Sequence, residues 1–183
     1  MTERELIEGC IRKDRSCQEE LWRRHAGRLL SICRRYARHD MEAEDLLQDT
    51  FIRIFDNLKK FEYKGSFEGW LCKIAVHASL KNCNKSSFQK EKIGIDPGYD
   101  QPVEPEAISV LSEEELIQLI QDLPEGYRVI FNLAAIEGYS HREIAEKLGI
   151  KESTSRSQLV KARNILKKKV LALKKDYYEH RPL

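Results

Sequence analysis

The stretch from Ser140 to Arg163, SHREIAEKLGIKESTSRSQLVKAR, constrains the fold more tightly than any other part of this chain. Ser140 followed three residues later by Glu143 is the reciprocal capping pattern that starts a helix. Ile144, Ala145 and Leu148 then recur on one face at helical spacing. Gly149 stands where the chain must turn sharply, and a glycine takes up positive φ without steric cost. Ile150 can plug the corner, and a second helix is predicted from about Glu152 into a basic stretch. A short helix, a glycine turn and a second helix with a polar, basic outer face is the helix-turn-helix arrangement, whose second helix enters a DNA major groove.

The same helical period recurs through most of the chain, and strand signals are scarce, so an all-α fold is expected. Thr2 can cap a first helix running to about Arg12, with Leu6, Ile7, Cys10 and Ile11 inward. Ser16 with Glu19 reads as a capping box opening a long helix to about Arg38, with Leu21, Trp22, Leu29, Ile32, Cys33 and Tyr36 as its apolar stripe. Asp40 opens a third helix from Met41 to about Asn57, turning Leu46, Leu47, Thr50, Phe51, Ile54 and Phe55 toward a core. After the polar, aromatic-rich loop from Leu58 to Gly65, Ser66 caps a fourth helix with Phe67, Leu71, Ile74, Ala75 and Ala78 on its core face.

From Ser87 to Val110 the period fails. Three of the five prolines, Pro97, Pro102 and Pro105, fall there with Gly94 and Gly98, the composition of an extended linker. Beyond it Ser112 with Glu115 caps a helix. Pro124 starts another to about Glu137, ended by Gly138, and the last helix frays by about Tyr177. The predicted organisation is two small helical domains, 1–86 and 112–176, joined by a flexible linker at 87–111 and followed by a tail at 177–183.

Net charge is only +2, but it is unevenly distributed. His141 to Asp176 carries eleven Lys and Arg against four Asp and Glu, a net of +7. Ser86 to Leu111 carries two Lys against five acids, a net of −3. A basic module behind an acidic linker points to a localised nucleic-acid surface. Cys10, Cys17, Cys33, Cys72 and Cys83 form no CxxC pair and are odd in number, so neither a disulfide framework nor a zinc site is expected. No long apolar run suits a membrane span and MTERELIEG lacks a signal-peptide core, so a cytoplasmic protein is expected.

Three groups of residues stand out as candidate interfaces. On the third helix Asp45, Gln48, Asp49 and Arg53 form an exposed strip beside the apolar one. The acids there, with Glu42 and Glu44, either offset the helix dipole or form a partner surface. Around the fourth helix, Trp70, Lys73, His77 and Lys81 recur on a second face, with Phe61, Tyr63 and Lys64 just before it. Such a face can stack on unpaired bases while lysines hold phosphates, or it is a core tryptophan beside solvated lysines. On the last helix Leu159, Ala162, Leu166, Val170 and Leu173 share one face, with Ser155 on the same side. The opposite side carries Ser153, Thr154, Arg156, Ser157, Val160, Lys161 and Asn164. Arg156 could be bidentate to a guanine and Val160 could meet a thymine methyl. Lys161, Arg163 and Lys167 are better placed for phosphate. A helical hairpin that binds protein is the alternative for this segment.

AEDLLQDTFIRIF at Ala43 to Phe55, followed by SFEGWLCKIAVHASL, resembles region 2 of bacterial sigma factors. LPEGYRVIFNLAAIEGYSHREIAEKLGI followed by STSRSQLVKAR resembles their region 4. The order, the spacing and a linker too short for a domain 3 resemble the extracytoplasmic-function (ECF) group of the sigma-70 family, over about residues 10 to 172. The resemblance implies a non-enzymatic transcription initiation factor that directs core RNA polymerase to promoters and assists DNA opening. It implies that Asp45, Leu46, Gln48, Asp49, Thr50, Phe51 and Arg53 bind core polymerase. Phe61, Tyr63, Lys64, Ser66, Trp70, Lys73 and His77 match the surface for the melted −10 element. Ser153, Thr154, Arg156, Ser157, Val160, Lys161 and Arg163 match the surface for the duplex −35 element. No cofactor, metal or small-molecule substrate is implied. An anti-sigma partner, soluble or membrane-bound, is expected from the family and from no residue of this chain. The departures are Ser155 where the pattern has a packed valine, Gln158 where it has an arginine, and His77 where an asparagine is common. They bear on promoter sequence and not on fold. A free-standing helix-turn-helix regulator and a helical metal hydrolase using Glu42, Asp45 and Asp49 are the rival readings.

Overall fold

A computed structural model of the chain describes residues 1–81, 83 and 111–179. The predicted linker at 87–111 and the tail at 177–183 lie largely outside the described residues, as do the bounds at which the first domain meets the linker. The chain divides into two compact units, Met1–Asn82 and Cys83–Leu183. Among the described residues every regular element is a helix.

In the first unit, α1 (Glu3–Ile11) is capped by Thr2, whose side chain and that of Glu5 exchange bonds with the backbone in a capping box. Lys13, at φ 62, ends the turn after α1. Helix α2 (Arg15–Tyr36) is capped by Asp14, not by Ser16. The Asp14 carboxylate accepts from the Ser16 and Cys17 N–H groups at 2.8 and 3.2 Å. Those bonds hold its carboxyl below the usual range. Glu19, predicted to complete a box with Ser16, instead takes the Arg15 guanidinium at 2.9 Å. The charge-assisted bonds of the Asp14 carboxylate let the helix start two residues before the predicted serine cap. Helix α3 (Asp40–Asn57) is capped by His39, whose ring nitrogen accepts from the Glu42 N–H at 3.2 Å. A 3₁₀ turn (Leu58–Lys60) leads into a loop, and Ser66 caps α4 (Phe67–Lys81) through the Gly69 N–H at 3.2 Å.

Helices α2, α3 and α4 pack mutually, with α1 laid on α2. Leu6, Ile7, Leu21, Leu29, Ile54, Phe67 and Leu71 are fully buried between them, each worth roughly 1.5–3 kcal/mol relative to exposure. Gly9 lets α1 approach α2: a Cβ there would stand 2.2 Å from the Cys17 sulfur. Trp22, predicted to face inward, is 41% exposed and lies on the rim, its ring 4.3 Å from that of Phe51. Buried thiols of Cys10 and Cys33 are pushed up to about 11 by desolvation.

Among the described residues of the second unit, α5 (Glu113–Gln121) stands behind the Ser112–Glu115 capping box, followed by α6 (Glu125–Phe131) after Pro124. The single helix expected to about Glu137 widens at Asn132–Ile136 into a π turn. It closes with the Glu137 N–H on the Asn132 carbonyl and the Tyr139 N–H on the Leu133 carbonyl, both at 2.9 Å, around Gly138 at φ 76. The first bond reaches five residues back, as in a π turn, and the second reaches six back across the left-handed glycine, which turns the chain out of the helix. Arg128 is buried and donates to the Gln121 carbonyl at 2.7 Å, tying the end of α5 to α6.

Helix α7 (His141–Leu148) is capped by the Ser140–Glu143 box and stopped by Gly149 at φ 67, ψ 37, as predicted. Helix α8 (Glu152–Glu179) runs beyond the predicted fraying point at Tyr177. Leu159, Ala162 and Val170 are buried on its inner face. Ala162 packs with Leu123 and Tyr127, and Val170 with Leu119. Asp122 accepts from Lys169 at 2.7 Å and so joins α5 to α8.

Candidate nucleic-acid and partner interfaces

Helical geometry divides the α3 segment into two sets. Asp45, Gln48 and Asp49 are exposed and Arg53 is half-buried. Leu46, Thr50 and Phe51, named with them as polymerase contacts, are 3%, 0% and 2% exposed. Thr50 donates its hydroxyl to the Leu46 carbonyl at 2.7 Å and lies against the Cys33 sulfur. These three hold the strip in place from beneath and cannot form its surface. They follow the exposed residues by one or two positions, which on a 3.6-residue turn puts them on the inner side. Two residues missing from the predicted strip are Met41 and Ile52, 75% and 60% exposed. Ile52 lies four residues beyond Gln48 and seven beyond Asp45, so the same helical spacing could have identified it. The outer face of α3 is therefore acidic with apolar points, a composition suited to a protein partner. Among the described residues Glu42, Asp45 and Asp49 do not gather into a metal-holding group.

The second candidate surface rests on an aromatic cluster. Phe61 is buried, with its ring centroid 5.1 Å from Tyr63, 5.1 Å from Phe67 and 5.4 Å from Trp70. As a base-stacking residue Phe61 is thus corrected: its ring is buried among three others. Tyr63 is exposed and sits at φ 57, a left-handed conformation rare for an aromatic residue. The Arg4 guanidinium, from α1, lies 5.5 Å from its ring centre, a contact between positions too distant in sequence to be foreseen. Lys64 is exposed and paired with Glu62 at 2.7 Å. Trp70 is half-buried against Phe61 and Phe67, while Lys73 and His77 are exposed one and two turns further along α4. Ser66 is spent largely on capping α4. The structure so brings Tyr63, Lys64, Trp70, Lys73 and His77 into one region built on Phe61 and Phe67.

The third surface is the first three turns of α8. Ser153, Arg156, Ser157, Val160 and Arg163 are exposed, and Thr154 and Lys161 are half-buried. Val160 is 56% exposed, an apolar side chain in an otherwise polar field. Arg156 is paired with Glu152 one turn earlier in the same helix. The Ser157 hydroxyl donates to the Thr154 carbonyl at 3.1 Å. The two departures point inward: Ser155 is fully buried and Gln158 is 5% exposed. Ser155 meets His141 of α7, with 2.9 Å between its hydroxyl and the His141 Nδ1. Nothing in the spacing alone identified His141 as its partner.

Comparison with known proteins points to one family. The family model for sigma-70 region 2 matches residues 21–88, and that for sigma-70 region 4 matches residues 113–166. The chain is 35% identical over 156 residues to the ECF RNA polymerase sigma factor SigE of Mycolicibacterium smegmatis, covering 81% of this chain and 60% of that protein's length. It is 32% identical over 162 residues to the RNA polymerase sigma factor YlaC of Bacillus subtilis, covering 85% of this chain and 93% of YlaC. Among solved structures, the sigma factor RpoE of Bartonella quintana, crystallised with the anti-sigma factor NepR, is similar with a TM-score of 0.49 at 19% identity, over 84% of this chain and 96% of that one.

Proposed function

The chain belongs to the extracytoplasmic-function group of the sigma-70 family of transcription initiation factors, and we propose that three of its surfaces divide the work of initiation. The outer face of α3, Asp45, Gln48, Asp49 and Arg53 with Met41 and Ile52, docks on core RNA polymerase. Tyr63, Lys64, Trp70, Lys73 and His77 take the strand separated at the −10 element, where stacking and phosphate contacts offset the few kcal/mol needed to unstack a base. The outward side chains of α8 read the −35 duplex. Arg156 and Val160 are placed for base edges, and Lys161 and Arg163 for phosphates. Glu152 holds the Arg156 guanidinium at the helix start and exchanges it for a base on binding. The protein acts in the cytoplasm as a regulatory subunit with no catalytic step of its own, and an anti-sigma partner would cover one or more of these faces.

The observation that carries this reading is the joint exposure, in one chain, of an acidic α3 face and a helix-turn-helix with outward Arg156, Ser157, Val160 and Arg163. A regulator that binds duplex DNA unaided has no use for the first. Fluorescence titration of the labelled full chain with core polymerase tests it. Asp49→Arg reverses the charge of one exposed side chain while leaving the buried Leu46, Thr50 and Phe51 intact. It is expected to weaken core binding at least tenfold with an unchanged circular dichroism spectrum. An Asp49→Arg protein that binds core as tightly as wild type refutes the α3 assignment. A wild-type protein that does not bind core at all refutes the function.

A further inference from the structure

We infer that His141 is a positioning residue for promoter reading, setting the rotation of α8 through its hydrogen bond to Ser155. This rests on the assignment of α8 to the −35 element.

The bond spans the two helices of the helix-turn-helix. The Ser155 hydroxyl and the His141 Nδ1 are 2.9 Å apart, and Ser155 is fully buried. Both ends are anchored. His141 follows Ser140, whose N–H donates to the Glu143 carboxylate at 2.8 Å and whose hydroxyl accepts from the Glu143 N–H at 3.3 Å. The backbone of His141 is therefore fixed by the capping box of α7. Ser155 lies in the first turn of α8, its N–H on the Lys151 carbonyl at 3.2 Å. A buried hydroxyl without a partner costs free energy, so the helix is held where Ser155 reaches the ring.

What that fixes is the direction of its neighbours. Arg156 and Ser157 follow Ser155 directly, and Val160 comes one turn after Arg156. Side-chain tips lie about 5–6 Å from a helix axis, so a rotation of about 20° moves them by about 2 Å. A hydrogen bond to a base edge tolerates a few tenths of an ångström. The apolar contacts of Leu159 and Ala162 tolerate such a rotation better, because dispersion is not directional. The polar pair supplies the angular definition that the apolar face lacks. This also accounts for a serine at a position where a packed apolar residue would fill the space equally well: its hydroxyl is satisfied, and its partner is the first residue of α7.

The test uses holoenzyme assembled from the full chain and core polymerase, on a promoter duplex recovered by run-off transcription from genomic DNA. The readout is the ratio of affinities for that duplex with its −35 segment intact and scrambled. His141→Leu and Ser155→Ala each remove the bond. Each should lower the ratio roughly three- to tenfold, the range spanned by one net hydrogen bond, with core binding unchanged. Because the same bond is lost, the double variant should lose no more than the worse single one. His141→Asn, which keeps an amide atom near the position of Nδ1, should restore most of the ratio, a rescue that simple packing would not give. Single variants with wild-type ratios, or losses that add in the double variant, overturn the inference. Arg156→Ala separates the two levels. If it lowers the ratio while His141→Leu does not, the positioning role fails and α8 remains the reader. If neither changes the ratio, both are overturned.

Discussion

Replacing Phe61 by leucine should damage promoter opening from beneath a surface that Phe61 itself does not reach. The ring is buried and meets three others at centroid distances of 5.1, 5.1 and 5.4 Å. Leucine keeps the site apolar and nearly filled but removes all three ring contacts. Each aromatic pair contributes about 0.5–1.5 kcal/mol beyond its buried area. The three share one ring and so do not add fully, which leaves about 2 kcal/mol. For a unit of this size, Met1–Asn82, that lowers the melting midpoint by roughly 8–16 °C. The only two tryptophans, Trp22 and Trp70, lie in this unit, so intrinsic fluorescence reports on it alone. Loosening the support of Tyr63 and Trp70 should also slow transcription from a duplex promoter. It should matter much less on a template already mismatched across the −10 region, and core binding should be unaffected. A wild-type midpoint refutes the packing calculation. A destabilised variant that opens duplex DNA at the wild-type rate refutes the supporting role.

Two further predictions concern the helical framework. Gly9→Ala would place its Cβ 2.2 Å from the Cys17 sulfur and 2.9 Å from the Cys17 Cβ. The sulfur can rotate away but the Cβ cannot, so about 1–3 kcal/mol of overpacking is expected. It should be visible as a lower urea midpoint by tryptophan fluorescence and relieved in part by Cys17→Gly. In the second unit the Asp122 carboxyl is held below its usual 3.8 by Lys169 and then by Gln118. Its folded form therefore binds a proton less readily than its unfolded form. The stability it contributes is present above about pH 4 and is lost as pH falls through the depressed folded value. Asp122→Asn should flatten the loss of helicity on acidification in that window. The effect should stay under about 1 kcal/mol and shrink in salt, because the pair is partly exposed. Equal acid slopes for the two proteins would contradict it.

Local chemistry made the helix-turn-helix readable in advance. The Ser140–Glu143 and Ser112–Glu115 boxes and the left-handed Gly149 each depend on residues within one turn. The exposed acids of α3 and the outward side chains of α8 followed from helical spacing for the same reason. The features that escaped depend on where a helix starts or on distant contacts. Ser16 lost the N-cap to Asp14 because the helix starts two residues earlier, where the Asp14 carboxylate takes the Ser16 and Cys17 N–H groups. Phe61 read as a loop aromatic available to bases because its neighbours Phe67 and Trp70 belong to α4, and only the folded loop turns it inward. Trp22 read as core because a helical stripe does not show where a partner helix ends. The π turn at Asn132–Ile136 and the burial of Arg128 have no sequence period to mark them. Ser155 was visible as a departure from the family pattern, but its partner His141 was visible only in three dimensions.

The most direct measurement is run-off transcription by core RNA polymerase on genomic templates, with and without the full chain. Discrete products that appear only with the protein, and that vanish when either the −10 or the −35 segment is scrambled, are the predicted result. The same products from core polymerase alone, or none in its presence on any genomic template, would contradict the account.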